Sequence, residues 1–231
     1  MKEKLYIIKI GGALIDDEEL LEQFLEQFSE IQEKKILVHG GGKLATTLAD
    51  KLGIKQKLIN GRRITDKDTL DIVAMVYAGG INKNIVAKLQ QKKCKAIGFS
   101  GADANMIKAT KREDEEIDFG FVGDITEKSI NKKIISKLLK LELVPVFSAI
   151  THDKKGHLFN TNADTIASVI AQALSVKYDV ELLYCFDKGG VLEDVDDPES
   201  VIKNISEEEF STLKDEGKLH KGILPKLENA L

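Results

Sequence analysis

Leu5-Tyr6-Ile7-Ile8-Lys9-Ile10-Gly11-Gly12 is the stretch whose reading decides the fold. Six residues, apolar in character apart from one lysine and closed by a glycine pair, predict a strand buried on both faces that turns sharply at its end. Behind it, Asp16 with Glu19 three residues on reads as a capping box. Leu20, Leu21, Phe24, Leu25, Phe28 and Ile31 then recur at helical spacing. Ile36-Leu37-Val38 is a second short buried strand, and it too runs into glycines, His39-Gly40-Gly41-Gly42. From Lys43 to Leu52 the pattern is helical and stops at Gly53, a residue suited to the left-handed turn that ends many helices.

The same grammar continues outward. Asp68 to Leu89 predicts one long helix with Leu70, Val73, Tyr77, Ile81, Ile85 and Leu89 on one face. Gly79-Gly80 in its middle is costly for a helix interior and suggests close approach of another backbone. Ala96 to Phe99 predicts a strand, Ile107 to Gly123 a hairpin with a charged tip, and Asn131 to Leu141 a helix. Leu143 to Ile150 is a strand, and the turn Asp153-Lys154-Lys155-Gly156 brings Leu158-Phe159-Asn160 back antiparallel. Ala163 to Leu174 is an apolar helix and Val180 to Phe186 a further buried strand. Ser206 with Glu209 is a second capping box, and Pro225 suits the first turn of a last helix. Buried strands alternating with helices mean an α/β fold with a mostly parallel sheet covered on both faces. With no linker or break in composition, the chain reads as one structural unit.

Composition excludes several classes. With 231 residues, 42% hydrophobic and 31% charged, the chain has the profile of a soluble globular protein with room for a sizeable core. A net charge of −4 leaves no basic footprint for nucleic acid. No apolar run approaches the roughly 18 residues that span a bilayer. Lys9 and the acidic run Asp16-Asp17-Glu18-Glu19 speak against a signal peptide. Cys94 and Cys185 have no CxxC partner, which predicts buried, reduced thiols in a cytoplasmic protein and no zinc site. Of 34 basic residues only three are arginine, Arg62, Arg63 and Arg112, so an adjacent pair asks for a reason.

In an open α/β sheet, ligands bind beyond the carboxyl ends of the strands. Glycines recur there, as Gly11-Gly12, Gly40-Gly41-Gly42 and Gly189-Gly190. One such pair is an ordinary tight turn; three at one sheet edge suit backbone N–H groups aimed at phosphate oxygens. Lys9, if it points inward, has to meet an anion, because burying an ammonium alone is too expensive; otherwise it lies on a solvated face. Lys226 sits near a helix start, where the dipole disfavours a cation. An anion between the two lysines would account for both, although Lys226 by itself reads as surface. Arg62-Arg63, after the turn Asn60-Gly61, suits two-pronged capture of a small carboxylate, or a loop salt bridge. In Asn160-Thr161-Asn162-Ala163-Asp164, Asn162 is a candidate N-cap and Asp164 heads an otherwise apolar helix. Asp187, at a strand end, faces either a nucleotide or a metal.

Other signals fail. Gly42-Lys43 lacks the spacing of a P-loop. Gly40-x-Gly42-x-x-Ala45 formally fits a dinucleotide fingerprint but not on the first βα turn. His39, His152, His157 and His220 form no ligand spacing, and no serine or cysteine occupies a nucleophile elbow.

Six segments taken in order resemble the amino acid kinase family: Lys9-Ile10-Gly11-Gly12, Val38 to Gly42, Asn60 to Thr65, Asn160 to Asp164, Asp187 to Leu192 and Gly222 to Lys226. Within it they resemble the branch acting on N-acetyl-L-glutamate. The resemblance implies an open αβα sandwich and ATP-dependent phosphorylation of the side-chain carboxylate of an N-acylated glutamate, for arginine synthesis. It implies Lys9 and Lys226 flanking the transferred phosphoryl group, with Asp164 holding both. Backbone N–H groups of Gly11, Gly12, Gly41 and Gly42 would receive phosphoryl oxygens and substrate. Arg63 and Asn160 would bind the acceptor, while Asp187 and Gly190 would line the nucleotide side. ATP with Mg2+ is the expected cofactor, with no metal ligand assigned among the side chains.

Residues to about 174 are expected to bind the acyl-amino acid and form a homodimer on the long helix, and about 175–231 to bind nucleotide. Relatives continue past the segment around Lys226, so a shortened nucleotide part is expected. Only Met1 to Lys4 precede the first strand, which predicts no hexamer-forming helix and no arginine feedback. Alternatives within the fold are a kinase of N-succinylglutamate or carrier-linked aminoadipate; outside catalysis, a nucleotide- or amino-acid-sensing module. The chemistry is consistent with a kinase. A carboxylate acceptor is already a nucleophile at pH 7, so phosphoryl transfer to it needs cations and positioning but no general base.

Overall fold

The computed structural model describes residues 1–59, 62–186, 189–192, 197, 199–215 and 227. They fall into two compact units, Met1–Cys185 and Phe186–Leu231.

The first unit begins with β1 (Lys4–Ile10), α1 (Gly12–Asp16), α2 (Glu18–Glu30), β2 (Lys34–His39) and α3 (Gly42–Lys51). A small hairpin, β3 (Lys57–Ile59) and β4 (Arg62–Ile64), leads to α4 (Lys67–Ala74), a π-helical segment Met75–Ile81 and α5 (Asn82–Gln91). Then come β5 (Ala96–Phe99), the paired β6 (Thr110–Lys111) and β7 (Gly123–Asp124), and α6 (Lys132–Lys140). β8 (Val144–Ser148), the hairpin β9 (Ile150–His152) and β10 (Leu158–Asn160), α7 (Ala163–Ser175) and β11 (Asp179–Cys185) complete it. In the second unit, β12 (Val191–Leu192) and β13 (Val201–Ile202) pair antiparallel, followed by α8 (Glu207–Asp215).

The central sheet has the order β11-β1-β2-β8-β5, with every neighbouring pair parallel. β1 lies between β2 and β11, so the winding reverses beside it, which is where an open sheet leaves a crevice for ligands. Both faces are covered, as the apolar strands require. Leu5, Ile7, Ile8 and Ile10 of β1 and Ile36, Leu37 and Val38 of β2 are all buried. Lys9 faces α7, where it meets Asp164. Ile10 aligns with His39, whose ring meets Asn82 of α5 on the opposite face.

Three local readings change in the folded chain. The cap of α2 is Asp17, whose side chain accepts from Glu19 N and Leu20 N; Asp16 instead closes α1, a single turn formed directly after the glycines. The long helix is not uniformly α-helical, since Met75–Ile81 is wound as a π-segment. Among the described residues, nothing outside its own helix lies within 4 Å of a Cβ built at Gly79 or Gly80. The other terminal signals hold: Asn162 caps α7, and Gly53 adopts φ +72° after α3; Asn131, read as the first residue of its helix, is the N-cap of α6. The Ser206–Glu209 box opens α8. Cys94 is buried and Cys185 half-buried, both as free thiols.

Candidate active site

At the carboxyl end of β1, where the winding reverses, lies a buried ion pair. Lys9 Nζ lies 2.7 Å from Asp164 Oδ1, and the two residues are only 6% and 7% exposed. An ammonium that deep stays charged only with a carboxylate against it. Asp164 arrives there because Asn162 caps α7, accepting from Thr165 N at 3.0 Å, which puts Asp164 in the first turn with the apolar remainder of the helix packed on the sheet. Tyr184 of β11 donates to the Asp164 carbonyl at 3.3 Å, and its phenol pKa is raised by burial and then by the Asp164 charge. Burial likewise raises the Cys185 thiol, with Lys9 opposing.

Around this pair lie the glycine turns. Gly11 N donates to Cys185 O at 3.3 Å, tying the end of β1 to β11, and a Cβ at Gly11 would come within 3.9 Å of Lys9 Nζ. Gly40 lies beside Ala163, the residue before Asp164. Gly41 has φ +144° and is overhung by Ile81 and Tyr77 of the π-segment, so a side chain there meets both strain and a neighbour. Gly42 opens α3, whose N-terminal N–H groups form a positive end suited to an anion.

The acceptor-side residues are joined through one threonine. Arg63 on β4 donates to Thr46 Oγ1 of α3 at 2.8 Å and to Gln56 Oε1. Its guanidinium also touches Tyr77, whose phenol pKa burial raises and Arg63 lowers. Thr65, wholly buried, donates from Oγ1 to Arg63 O at 3.2 Å and accepts from Asn160 Nδ2 at 3.1 Å. Its backbone is clasped by Phe119 O and Phe121 N on either side of Gly120, which holds φ +71°.

Lys9, Asp164, Gly11, Gly12, Gly40, Gly41, Gly42, Arg63 and Asn160 are thus gathered on contiguous elements of the first unit. Gly190 belongs to the second unit, where a Cβ would lie 2.7 Å from Val201. Asp187, Lys226 and the turn Asn60-Gly61 lie outside the described residues. Among those described, no group of three or more His, Cys, Asp or Glu is placed to hold a metal ion.

Thr65, Tyr77, Asn82 and the buried His39 are site neighbours that sequence reasoning missed. Asn82 carried a signal, being a polar residue beside Ile81 and Ile85 in the buried stripe of the long helix.

Comparison with known proteins bears on the family and the fold. The model of the amino acid kinase family matches residues 4–231. An acetylglutamate kinase of Phocaeicola vulgatus is 51% identical over 230 residues, covering 100% of this chain and 89% of the relative. One from Cytophaga hutchinsonii is 50% identical over 229 residues, covering 99% of this chain and 86% of the relative. Among solved structures, smu.665 from Streptococcus mutans superposes with a TM-score of 0.82 at 28% identity, covering 98% of this chain and 88% of that one.

Proposed function

Because this chain belongs to the amino acid kinase family, we propose that it is an acetylglutamate kinase, which transfers the γ-phosphoryl group of ATP to the side-chain carboxylate of N-acetyl-L-glutamate for arginine biosynthesis. The observation that carries the reading is the buried Lys9–Asp164 pair set among the glycine turns at the point where the sheet's winding reverses. Two anions have to be brought together for this reaction, and the transition state spreads charge over the oxygens of the moving phosphoryl group. Lys9 supplies a fixed cation for those oxygens, and Asp164 keeps it charged and aimed. The N–H groups of Gly11, Gly12, Gly41 and Gly42 supply donors that need no reorganisation as charge develops. Arg63 takes the α-carboxylate of the acceptor and Asn160 its acyl-amide side, both held by Thr65. No side chain has to remove a proton, because the attacking carboxylate is already ionised at pH 7.

The roles of Asp187 and Gly190 toward nucleotide, and of Lys226 as a second cation, rest on the family resemblance. So does the division into an acceptor-binding part to about residue 174 and a nucleotide-binding part beyond it. Mg2+ would arrive on the ATP phosphates, as hard oxygen donors favour. Free thiols at Cys94 and Cys185 suit a reducing cytoplasm, and no helix among the described residues is long and apolar enough to cross a membrane. The chain forms a homodimer through the long helix. Met75 and Leu44 are exposed there beside a groove of about 340 Å3, and Gly79-Gly80 leaves room for another backbone.

The test is a panel of N-acetylglutamate, N-succinylglutamate, glutamate and N-acetylaminoadipate with ATP and Mg2+, trapping the acyl phosphate as its hydroxamate. N-acetylglutamate is expected to give by far the highest kcat/KM. Equal or better turnover of another acid would overturn the assignment.

A further inference from the structure

The buried imidazole of His39 is a titratable group that the chemistry above leaves unused. His39 ends β2, immediately before the glycine turn, and is 0% exposed. Its Nδ1 lies 2.9 Å from the Gly40 carbonyl oxygen and its Nε2 lies 3.0 Å from Asn82 Nδ2. Asn82 is oriented by its other neighbours: Nδ2 donates to Val146 O at 3.0 Å, and Oδ1 accepts from Lys83 Nζ at 3.1 Å. Lys83 in turn donates to Gly98 O at 3.0 Å. A reversed amide would set oxygen against oxygen at Val146 and N–H against the ammonium. Asn82 therefore offers Nε2 a hydrogen, and the ring's own hydrogen sits on Nδ1, facing Gly40. Burial lowers the imidazole pKa to about 4, so near neutral pH there is one proton on the ring and one place for it.

The consequence reaches the site through peptide geometry. In a planar trans peptide, C=O and N–H point in opposite directions. Fixing the Gly40 carbonyl against the His39 ring turns the Gly41 N–H away from the ring. No backbone carbonyl of the described residues accepts it.

The geometry points to His39 as a positioning residue: held by Asn82 as its Nδ1–H tautomer, it clamps the Gly40 carbonyl and so aims the Gly41 N–H at an anionic oxygen of the reactants. The assignment of that oxygen rests on the kinase reading; the clamp does not.

Two measurements on the full chain test it. Long-range 1H–15N correlation of histidine-labelled protein is expected to show His39 as the Nδ1–H tautomer near pH 7, and an Nε2–H tautomer would overturn the clamp. In kinetics, His39→Leu is expected to lose about 10²-fold in kcat, the scale of one oxyanion donor, with KM for both substrates little changed. His39→Asn, whose amide nitrogen takes the place of Nδ1, restores most of it. Equal losses in both variants at unchanged melting temperature would overturn the proposal. If His39→Leu fails to fold, the tautomer and the Asn variant still decide. An unsubstituted chain with the Nδ1–H tautomer but no turnover would overturn the kinase reading and leave the clamp standing.

Discussion

Replacing Asp164 with asparagine removes the carboxylate 2.7 Å from Lys9 while keeping the side chain's size. At that separation two unit charges attract by about 6 kcal/mol at an effective dielectric near 20. Desolvation offsets much of this, and breaking such a pair from one side costs about 3–5 kcal/mol, since the remaining charge stays buried. For a chain of this length that corresponds to a melting temperature lower by about 6–20 °C. The double variant Lys9→Met with Asp164→Leu removes both charges and is expected to recover most of the stability, because apolar replacement of a buried pair is often neutral or better. Catalysis should not recover: both variants are expected to lose at least about 10²-fold in kcat. Differential scanning calorimetry beside a coupled ADP-release assay reads the two effects separately. A melting temperature for Asp164→Asn within about 2 °C of the original would refute the buried-pair argument. A double variant that turns over normally would refute the role of Lys9.

Gly41→Ala places a side chain at φ +144°. The contact with Ile81 Cδ1 can relax by side-chain rotation, but the backbone strain remains, at about 1–3 kcal/mol; a urea midpoint should fall accordingly, and kcat with it. Gly120→Ala drives its Cβ into the Thr65 carbonyl oxygen, a backbone atom that cannot rotate aside. Because Thr65 holds both Arg63 and Asn160, steady-state kinetics should show a KM for the acceptor raised more than kcat is lowered. Between pH 6.5 and about 4 the unfolded chain protonates His39 while the folded chain does not. The unfolded state then binds more protons, so stability is complete above pH 6.5 and falls by about 3 kcal/mol as pH drops to 4. Urea titrations across that range check it, and His39→Asn should flatten the dependence.

The order of the main strands and helices, the glycine turns and the caps at Asn162 and Ser206 were legible in the sequence because each depends on neighbours within a few residues. Period-two and period-3.6 burial and short-range hydrogen bonding are written locally. Lys9, Arg63, Asn160 and Asp164 were singled out by residue type and by position at strand ends, a turn and a helix start. Their roles came from the family resemblance, and the fold places them on contiguous elements. What was not legible depends on contacts across the chain. The shift of a cap from Asp16 to Asp17 follows from the extra helical turn after Gly12, and the π-winding of Met75–Ile81 accompanies a packed contact with Gly41.

The sequence by itself determined an α/β sheet with glycine-lined strand ends and a lysine that, if turned inward, would require an anion. The family resemblance implied Asp164 as that anion; only the tertiary structure put its carboxylate, 155 positions away, at 2.7 Å from the ammonium. Only it could show that Thr65 joins Arg63 to Asn160, or that Asn82 sets the tautomer of His39. A buried polar group is satisfied by whichever partner the packing brings within about 3 Å. Such a partner carries no mark in the local pattern of the chain.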